Sequence, residues 1–385
     1  MSAYSLGITH DVGNPEWLTF VKGVGNGNIR QDPAWARAKM VTGYEGQLLM
    51  ARHGEKLVGG ALLLIKNYAF GFKVGIVSQG PCLLAEEPEL VDFFSQKLKT
   101  VCRQSRLFYI IVELPYFKDA WLPLFMKNGF VFKPNGLPGG FFFNTTWMLE
   151  LTPDLEEIFL GFSAARRRYV RKSAQQPIVF RQGEAEDLDA CYDLFLHTAN
   201  RRNGFFVQPH KAFYHELLKV PQANRQVLLL IGEVEGKMVS ASFCLLSGDV
   251  FMHYIWGWTG DYADQHYSDA VYWHMIQLAK AKGFRFFDFV QVDDAVASAV
   301  LSGRPLDNSV RSRSFFGPTF YKMSFGGHKV PTPGILCYFP LKVHFWLANG
   351  LLVALNSSRL MQRSLKLISR WLDKSISKQL SNTSE

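Results

Sequence analysis

The sequence predicts a mixed α/β fold that is built twice in tandem. The first observation is a pair of similar β-hairpins. Residues 47–66 read QLLMARHGEKLVGGALLLIK and residues 227–246 read VLLLIGEVEGKMVSASFCLL, so that in each two apolar runs flank a short turn containing Gly, Glu and Lys. The second is that similar elements follow both hairpins in the same order. A chain of 385 residues is also long enough to bury two hydrophobic cores.

The elements after each hairpin follow one common order. The first hairpin leads to a predicted strand, helix, strand and short helix at 74–78, 90–103, 108–112 and FMKNGF (125–130). The second leads to the same series at 251–258, 268–282, 284–290 and FYKMSFGG (320–327). This repetition indicates an internal duplication. We expect a first domain at 1–152, a second at 153–340 and a tail at 341–385.

The order of hairpin, strand, helix, strand, helix and strand is that of the GCN5-related N-acetyltransferase (GNAT) fold. FMKNGF also resembles the Y-x-K-x-G-F element of that fold. We therefore expect two tandem GNAT-like domains. One long helix over 154–174 is predicted to open the second domain, because Asp154 places negative charge near its N-terminus.

The charge balance and the cysteines narrow the function classes. Lys and Arg exceed Asp and Glu by 9, which favours a polyanionic partner such as tRNA, a phosphorylated substrate or an anionic membrane face. The five cysteines are odd in number, widely spaced and lack a CxxC pair. We therefore expect neither a metal site nor a disulfide framework.

The two ends of the chain bear on its location. The N-terminus lacks a basic start followed by an apolar run, so we expect no signal peptide. The apolar stretch at 343–355 is too short to cross a bilayer, which predicts a cytoplasmic protein. Residues 359–376 carry apolar and basic stripes on opposite faces of a predicted C-terminal amphipathic helix. Such a helix packs on the protein body or lies on a membrane surface, here the inner face.

Acetyltransferases of this fold hold the pyrophosphate of coenzyme A on a Q/R-x-x-G-x-G/A loop at a helix N-terminus. The chain has QGPCLLAEEPEL before the first corresponding helix and GDYADQHYSD before the second, and neither fits. We therefore expect a different acyl donor and no cofactor.

Four stretches resemble the Fem-type (FemABX) aminoacyltransferases, in the order that this family has. They are IRQDPAWARAK (29–39), QGPCL (79–83), SAARRRYVRKSAQ (163–175) and TFYKMSFGGHKV (319–330), and DFV (288–290) resembles the Y-D-F strand of the family. Some members have a helical arm; no helical run of that length interrupts the second half of this sequence, so we expect a form without it. The chain departs from the family at Ser324 and Pro177, where Gly is usual. Glu113, in VELP, occupies the place of a family acid next to a Pro.

The resemblance implies transfer of an aminoacyl group from aminoacyl-tRNA to an amine of a nucleotide- or lipid-linked peptidoglycan precursor. The substrate amine would be the nucleophile, and a fixed cation would stabilise the oxyanion. Lys322 matches the family lysine and would hold the transferred carbonyl, with Tyr321 beside it and Gly326 and Gly327 letting the backbone approach a ligand.

Two further cations match family positions that bind precursor phosphates: Lys39 and either Arg201 or Arg202. Glu113 is a candidate general base, and Asp288 is a weaker candidate. A crowded basic segment is a candidate tRNA-binding surface or a solvated helix face, and it contains Arg166, Arg167, Arg168, Arg171 and Lys172.

Two other interpretations stay open. One is an N-acyltransferase that uses an acyl thioester on an envelope polysaccharide or peptide, although the missing pyrophosphate loop counts against it. The other is a non-catalytic membrane-surface adaptor, against which the retained Lys322 and Gly326-Gly327 count.

Overall fold

The computed structural model describes residues 4–25, 27–68, 71–134, 137, 145–201, 210–220, 226–331 and 334–349. Within these ranges the chain forms fifteen strands and thirteen α-helices, arranged around two mixed sheets. This architecture confirms the predicted α/β class and the duplication.

Seven strands and four helices come from the first part of the chain. They are β1 (Tyr4–Thr9), α1 (Pro15–Gly23), α2 (Pro33–Met40), β2 (Tyr44–His53), β3 (Lys56–Tyr68), β4 (Phe72–Ser78), β5 (Cys82–Leu83), α3 (Pro88–Gln104), β6 (Tyr109–Glu113), α4 (Leu122–Lys127) and β7 (Val131–Phe132). The predicted hairpin is β2–β3, and α3 buries Leu90, Phe94 and Leu98 at helical spacing on one side of this sheet.

The remaining elements follow in the second part of the chain. They are β8 (Thr145–Glu150), α5 (Leu155–Leu160), α6 (Ala164–Ser173), β9 (Ile178–Gly183), α7 (Leu188–Arg201), α8 (Lys211–Leu218), β10 (Val227–Val234), β11 (Lys237–Ser247), β12 (Val250–Trp258), α9 (Tyr267–Ala281), β13 (Phe286–Gln291), α10 (Asp294–Leu301), α11 (Asn308–Arg311), α12 (Phe316–Met323), β14 (His328–Pro331), β15 (Ile335–Tyr338) and α13 (Lys342–Leu347). The second predicted hairpin is β10–β11.

The two sheets have equivalent strand orders and exchange one strand each. The first sheet runs β1-β2-β3-β4-β6-β15-β7, with β5 beside β3, and the second runs β9-β10-β11-β12-β13-β8-β14. Strand β8 pairs with β13 and β14 in the second sheet, although the expected boundary at residue 152 assigns it to the first domain. Strand β15 takes the matching place between β6 and β7 in the first sheet. We propose that each sheet with its helices is one lobe, so that the chain crosses between lobes twice.

The single helix predicted over 154–174 is wrong, because two short helices occupy this stretch. Asp154 caps α5 by accepting a hydrogen bond from the Glu157 N–H, and α5 ends at Gly161. Ser163 then accepts from the Arg166 N–H and starts α6. The helical spacing of apolar and basic residues continues across the break. This spacing therefore does not reveal that a second helix begins, with its own N-cap, within the stretch.

A shared apolar core joins the lobes. Helices α1 and α2 of the first lobe pack with α7 and α8 and with β10–β12 of the second, and Trp35 meets Phe213 edge-on at 5.1 Å between ring centroids. The Ile29 N–H donates to the Ser247 hydroxyl at 2.8 Å across the same boundary. The predicted amphipathic helix at 359–376 lies outside the described residues. None of the helices described has the length and apolar character needed to cross a bilayer.

Candidate active site

Two buried carboxylates, one from each lobe, lie on matching strands at the boundary between the lobes. Glu113 ends β6, and Asp288 lies in the middle of β13. The Tyr116 hydroxyl of the first lobe donates to Asp288 Oδ2 at 3.0 Å. Asp288 also accepts from the Thr146 hydroxyl and from the Val290 N–H. The hydrogen bond from Tyr116 therefore connects the two lobes at this carboxylate.

Opposing effects act on both carboxyl groups. Burial raises the pKa of Glu113, and the nearby Arg30 guanidinium, 4.0 Å away, opposes this rise. Burial likewise raises the pKa of Asp288 against the hydrogen bonds from Thr146, Val290 and Tyr116. A carboxylate whose pKa is raised towards neutrality is a better proton acceptor than an ordinary one, so both groups suit general base chemistry.

The second sheet opens next to Asp288, whereas the first sheet stays closed at the equivalent place. Strands β12 and β13 pair in parallel only as far as Met252 and Asp288. Strands β4 and β6 pair to their ends, at Ser78 and Glu113, and the Gly80 N–H then donates to the Glu113 carbonyl at 3.1 Å. The opening between β12 and β13 is therefore a feature of the second lobe.

Lys322 lies at this opening. Its ammonium group donates to the Gln291 carbonyl at 2.8 Å and lies 3.5 Å from that of Val290. Val290 has a φ of +59°, an unusual conformation for a β-branched residue. Backbone strain of this kind concentrates at functional sites. The lysine singled out by the sequence thus points inward, to the end of β13, from its place on α12.

The other residues of the FYKMSFGG stretch have structural contacts. Tyr321 lies beneath Arg166, whose guanidinium carbon is 4.1 Å from the ring centroid. Gly326 and Gly327 have φ of +73° and +88°, and a Cβ at each would lie 2.9 Å from the Gly161 carbonyl oxygen and 2.3 Å from that of Met148. The close approach that these glycines permit is therefore to the protein's own backbone, which the sequence did not indicate.

Lys39 is half-buried on α2, where the two lobes meet. Its ammonium lies 4.9 Å from the ring centroid of Phe213, 5.3 Å from that of Trp35 and 5.5 Å from that of Tyr44. Burial and, next, the charge of Arg30 lower the pKa of Lys39 to about 8. Such a cation would gain from a phosphate, which restores its charged form.

The predicted arginine pair is only partly described. Arg201 is exposed at the end of α7, where it donates to the Trp258 and Thr259 carbonyls at 3.1 and 3.3 Å. It therefore sits at the far end of β12, away from the Met252–Asp288 pair. Arg202 lies outside the described residues.

The basic segment divides into two arginines that contact the protein and a set of exposed cations. Arg166 pairs with Asp269 of α9, and Arg167 donates to the Leu160 carbonyl at 2.7 Å. The exposed set is Arg168, Arg171 and Lys172, which we name the α6 basic patch. Lys172 reaches the Asp264 carbonyl, at 3.4 Å, in the loop that precedes α9.

Neither helix N-terminus that could hold a pyrophosphate has the loop for it. Helix α3 begins among Glu86, Glu87 and Glu89, whose charges oppose a bound anion. Helix α9 begins after His266, with a φ of +58° and no side-chain cap, and carries Asp269 in its first turn. The structural context thus agrees with the absence of the motif from the sequence.

Thiol chemistry has no support in the described residues. All five cysteines are buried and unbonded. Burial raises the pKa of Cys82, Cys102, Cys191 and Cys337 to about 12, so that these thiols stay protonated. In the same part of the chain, no three His, Cys, Asp or Glu side chains converge in a way that could hold a metal ion.

The comparisons with known proteins agree with this geometry. A model of the FemAB family matches residues 12–119, and a model of the acetyltransferase (GNAT) domain matches residues 163–295. A crystal structure of FemX superposes with a TM-score of 0.71 over 88% of this chain and 98% of that one, at 14% identity. This is a Fem-type duplicated GNAT fold. The resemblance drawn from the motifs is thereby confirmed, and so is the expectation of an acyltransferase.

Two further structures share the fold. The C-terminal domain of a putative lysylphosphatidylglycerol synthetase from Agrobacterium fabrum has a TM-score of 0.54 at 14% identity, covering 88% of this chain and 94% of that one. L-PGS from Bacillus licheniformis has a TM-score of 0.50 at 12% identity, covering 88% and 97%. No curated protein matches this chain by sequence.

Sequence reasoning missed several members of the site. Arg30 and Tyr116 carry no motif that marks them as partners of Glu113 and Asp288. Arg30 does stand within IRQDPAWARAK, the stretch that resembles the family. That resemblance could have marked Arg30 as a site residue, and the structure places it, buried, beside Glu113.

Proposed function

We propose that this Fem-type acyltransferase moves an amino acid from aminoacyl-tRNA to an amine of a peptidoglycan precursor. The observation that carries the proposal is the ammonium of Lys322 at the opening between β12 and β13, next to the buried Asp288. The match to the FemAB family over residues 12–119 supports the substrate class. Since aminoacyl-tRNA is a cytoplasmic molecule, we also place the reaction in the cytoplasm.

The reaction needs a cation and a base. The acceptor amine attacks the ester carbonyl of the aminoacyl group, and the carbonyl oxygen becomes negatively charged. Lys322 stabilises this oxyanion, as a preorganised donor in a site shielded from water. Glu113 takes the proton of the attacking amine, and Asp288 is the second candidate for this role. The C–O bond then breaks, and the proton goes to the ribose oxygen that leaves.

The cations around this centre bind the two substrates. Lys39, with Arg201 or Arg202, holds the phosphates of the precursor. The α6 basic patch, with Arg167 at its edge, holds the tRNA backbone. Its three members are exposed, and Lys172 contacts the loop that precedes α9.

The test is a transfer assay with mixed charged tRNAs and muropeptide precursors, read by mass spectrometry. Lys322→Ala is expected to lower kcat by about 10²–10³-fold, the usual loss for one oxyanion donor. Lys127→Ala is the matched control, because Lys127 occupies the corresponding place in FMKNGF of the first lobe and its side chain is 73% exposed. Full activity of Lys322→Ala, or equal losses in both variants, would contradict the proposed role.

A thioester donor is the competing activity, and a titration with acyl coenzyme A separates the two. We expect no saturable binding, because the N-terminus of α3 is acidic and that of α9 lacks the glycine-rich loop. Saturable binding together with transfer from the thioester would favour the alternative.

We also propose that the chain contacts the inner membrane face through its C-terminal part. Trp346, Val343 and Leu341 are 73%, 53% and 56% exposed on and beside α13, just before the basic stretch of 359–376. Co-sedimentation with anionic vesicles should fall when residues 350–385 are removed, and further with Trp346→Ser. Equal sedimentation of all three proteins, or no preference for anionic lipid, would refute this contact and leave the transferase proposal standing.

A further inference from the structure

Among the buried polar side-chain atoms of the second lobe that have no hydrogen-bond partner in the described residues, four lie on two neighbouring strands. They are Ser242 Oγ, His253 Nε2, Trp256 Nε1 and Trp258 Nε1. A buried donor or acceptor left unpaired costs about 1–3 kcal/mol, and folded proteins therefore leave few of them. Four such atoms on neighbouring strands indicate that a group outside the described residues pairs with them.

These four atoms share one face of β11 and β12. In the antiparallel pairing of β12 with β11, His253 lies opposite Cys244 and Trp256 lies opposite Ser242. Tyr254, which follows His253, has no opposite residue in β11 and forms a bulge. Because the bulge adds one residue to β12, the regular alternation is shifted, and His253, Trp256 and Trp258 all point to the same side. That side faces α9.

Aromatic rings of α9 and α12 cover this face. The Tyr272 ring lies 5.1 Å from the His253 ring, 6.3 Å from the Trp256 ring and 5.5 Å from the Tyr321 ring, measured between centroids. Phe289 of β13 stacks on Tyr272 at 5.6 Å. The polar atoms therefore lie in a largely apolar, aromatic surrounding, which is typical of a small-molecule subsite.

The face begins where the sheet opens. Met252 is the last residue of β12 that pairs with β13, and His253 follows it directly. Lys322 lies at the same opening and is close enough to His253 to affect its ionisation. A carbonyl group held by Lys322 would thus direct its substituent along His253 towards Trp256.

The charges around this face exclude a cationic ligand. Burial and the charge of Lys322 lower the pKa of His253 to about 3, so that this imidazole is neutral at physiological pH. Arg166 lies over Tyr321 and is already paired with Asp269. A cationic side chain would be repelled by Lys322. A carboxylate would have to share Lys322 with the transferred carbonyl, and its burial would cost several kcal/mol.

We propose that the face of β11 and β12 beneath α9 binds the side chain of the transferred amino acid and selects an uncharged side chain that ends in a hydroxyl or a carboxamide. Such a group accepts hydrogen bonds from the indole N–H groups and exchanges one with Ser242 or His253. Alanine leaves these donors unpaired. The inference rests on the proposed function, whose acyl donor it specifies.

The first test measures the full-length protein with seryl-, asparaginyl-, alanyl- and lysyl-tRNA and one muropeptide precursor. We expect kcat/KM for the seryl or the asparaginyl donor to exceed that for the alanyl and lysyl donors at least about tenfold, because a site built to hydrogen-bond a side chain rejects one that lacks the group. Alanine or lysine transferred as readily as serine and asparagine would overturn the pocket alone. Absence of transfer from every donor would refute the proposed function and the pocket with it.

The second test removes hydrogen-bonding groups. Trp256→Phe keeps an aromatic ring without the indole N–H, and Ser242→Ala removes only the hydroxyl. Each should lower the ratio of polar to alanyl transfer at least about threefold. Trp273→Phe is the matched control, because this ring packs against Phe159 and Phe162 instead, with centroids at 5.4 and 5.5 Å. Circular dichroism checks folding. An unchanged ratio in folded Trp256→Phe and Ser242→Ala, or an equal drop in Trp273→Phe, would overturn the assignment.

Discussion

Replacing Arg166 with alanine should separate the structural part of the basic segment from the part that we propose to bind RNA. Arg166 is only 9% exposed, its partner Asp269 only 3%, and the Arg166 Nε–H also donates to the Ser324 hydroxyl at 2.9 Å. Loss of the guanidinium leaves a buried carboxylate without its cation. This loss should lower the free energy of unfolding by about 3–5 kcal/mol, whereas an exposed ion pair would contribute less than about 1 kcal/mol.

The assay is urea unfolding at pH 7, followed by circular dichroism. Arg168→Ala is the matched control two residues away, since Arg168 is exposed and its contacts within the described residues are with its neighbour Tyr169. It should change stability by less than about 0.5 kcal/mol. The double variant Arg166→Met/Asp269→Leu should recover most of the loss, because it leaves no charge unpaired.

The same variants should differ in the affinity and the salt dependence of tRNA binding. Arg168→Ala should weaken binding and reduce its salt dependence, because one phosphate contact is lost. The Arg166→Met/Asp269→Leu protein should retain the salt dependence of the wild type. A loss of less than 1 kcal/mol in Arg166→Ala would refute the reasoning about the buried pair. A salt dependence unchanged in Arg168→Ala would refute the assignment of the α6 basic patch to RNA.

Three further outcomes follow from particular positions. Gly327→Ala should destabilise the protein by about 2–4 kcal/mol in urea unfolding, because its Cβ would meet the Met148 carbonyl, whereas Gly303→Ala, with a positive φ but open space, should cost about 1 kcal/mol. Precursor affinity, measured by calorimetry, should weaken as pH rises through about 8, where Lys39 loses its charge, and Lys39→Met should abolish this trend. Folding raises the pKa of Asp288, so the contribution of this carboxyl group to stability falls as the pH rises above the pKa that it has in the unfolded chain. Asp288→Asn should therefore be more stable than the wild type at pH 7, while it transfers the aminoacyl group more slowly.

The sequence predicted the repeated elements well because each carries its own local signal. The hairpins β2–β3 and β10–β11, with glycine turns at Gly54 and Gly236, lie where the apolar runs placed them. The exchange of β8 and β15 was not foreseen, because an alternating apolar strand looks the same in either sheet. The break at 161–163 was missed since its N-cap, Ser163, stands inside a continuous helical periodicity.

In the candidate site, too, the sequence predicted the residues that carry a local motif and missed those that do not. Lys322 and Glu113 were found through motifs. The structure brings Glu113 to the boundary between the lobes and Lys322 to the opening next to it. Their partners Arg30, Tyr116 and Asp288 come from segments far apart in the chain, and the sequence contains no short-range pattern that links them. The unpaired atoms beneath α9 depend on a single bulge at Tyr254, which no propensity predicts.

The strand exchange explains how two similar lobes can serve different purposes at one site. Because β8 is built into the second sheet and β15 into the first, each lobe is tied to the other by covalent connections on both sides. Glu113 at the closed end of β6 is thereby kept at a fixed place relative to the opening beside Asp288, with Tyr116 bridging towards it. One lobe can then stay closed and supply a carboxylate, and the other can open to admit an acyl group. A duplication joined by a flexible linker would not hold the proposed base and the proposed oxyanion donor in register, and positional errors of about 1 Å are enough to cost a large part of a catalytic rate.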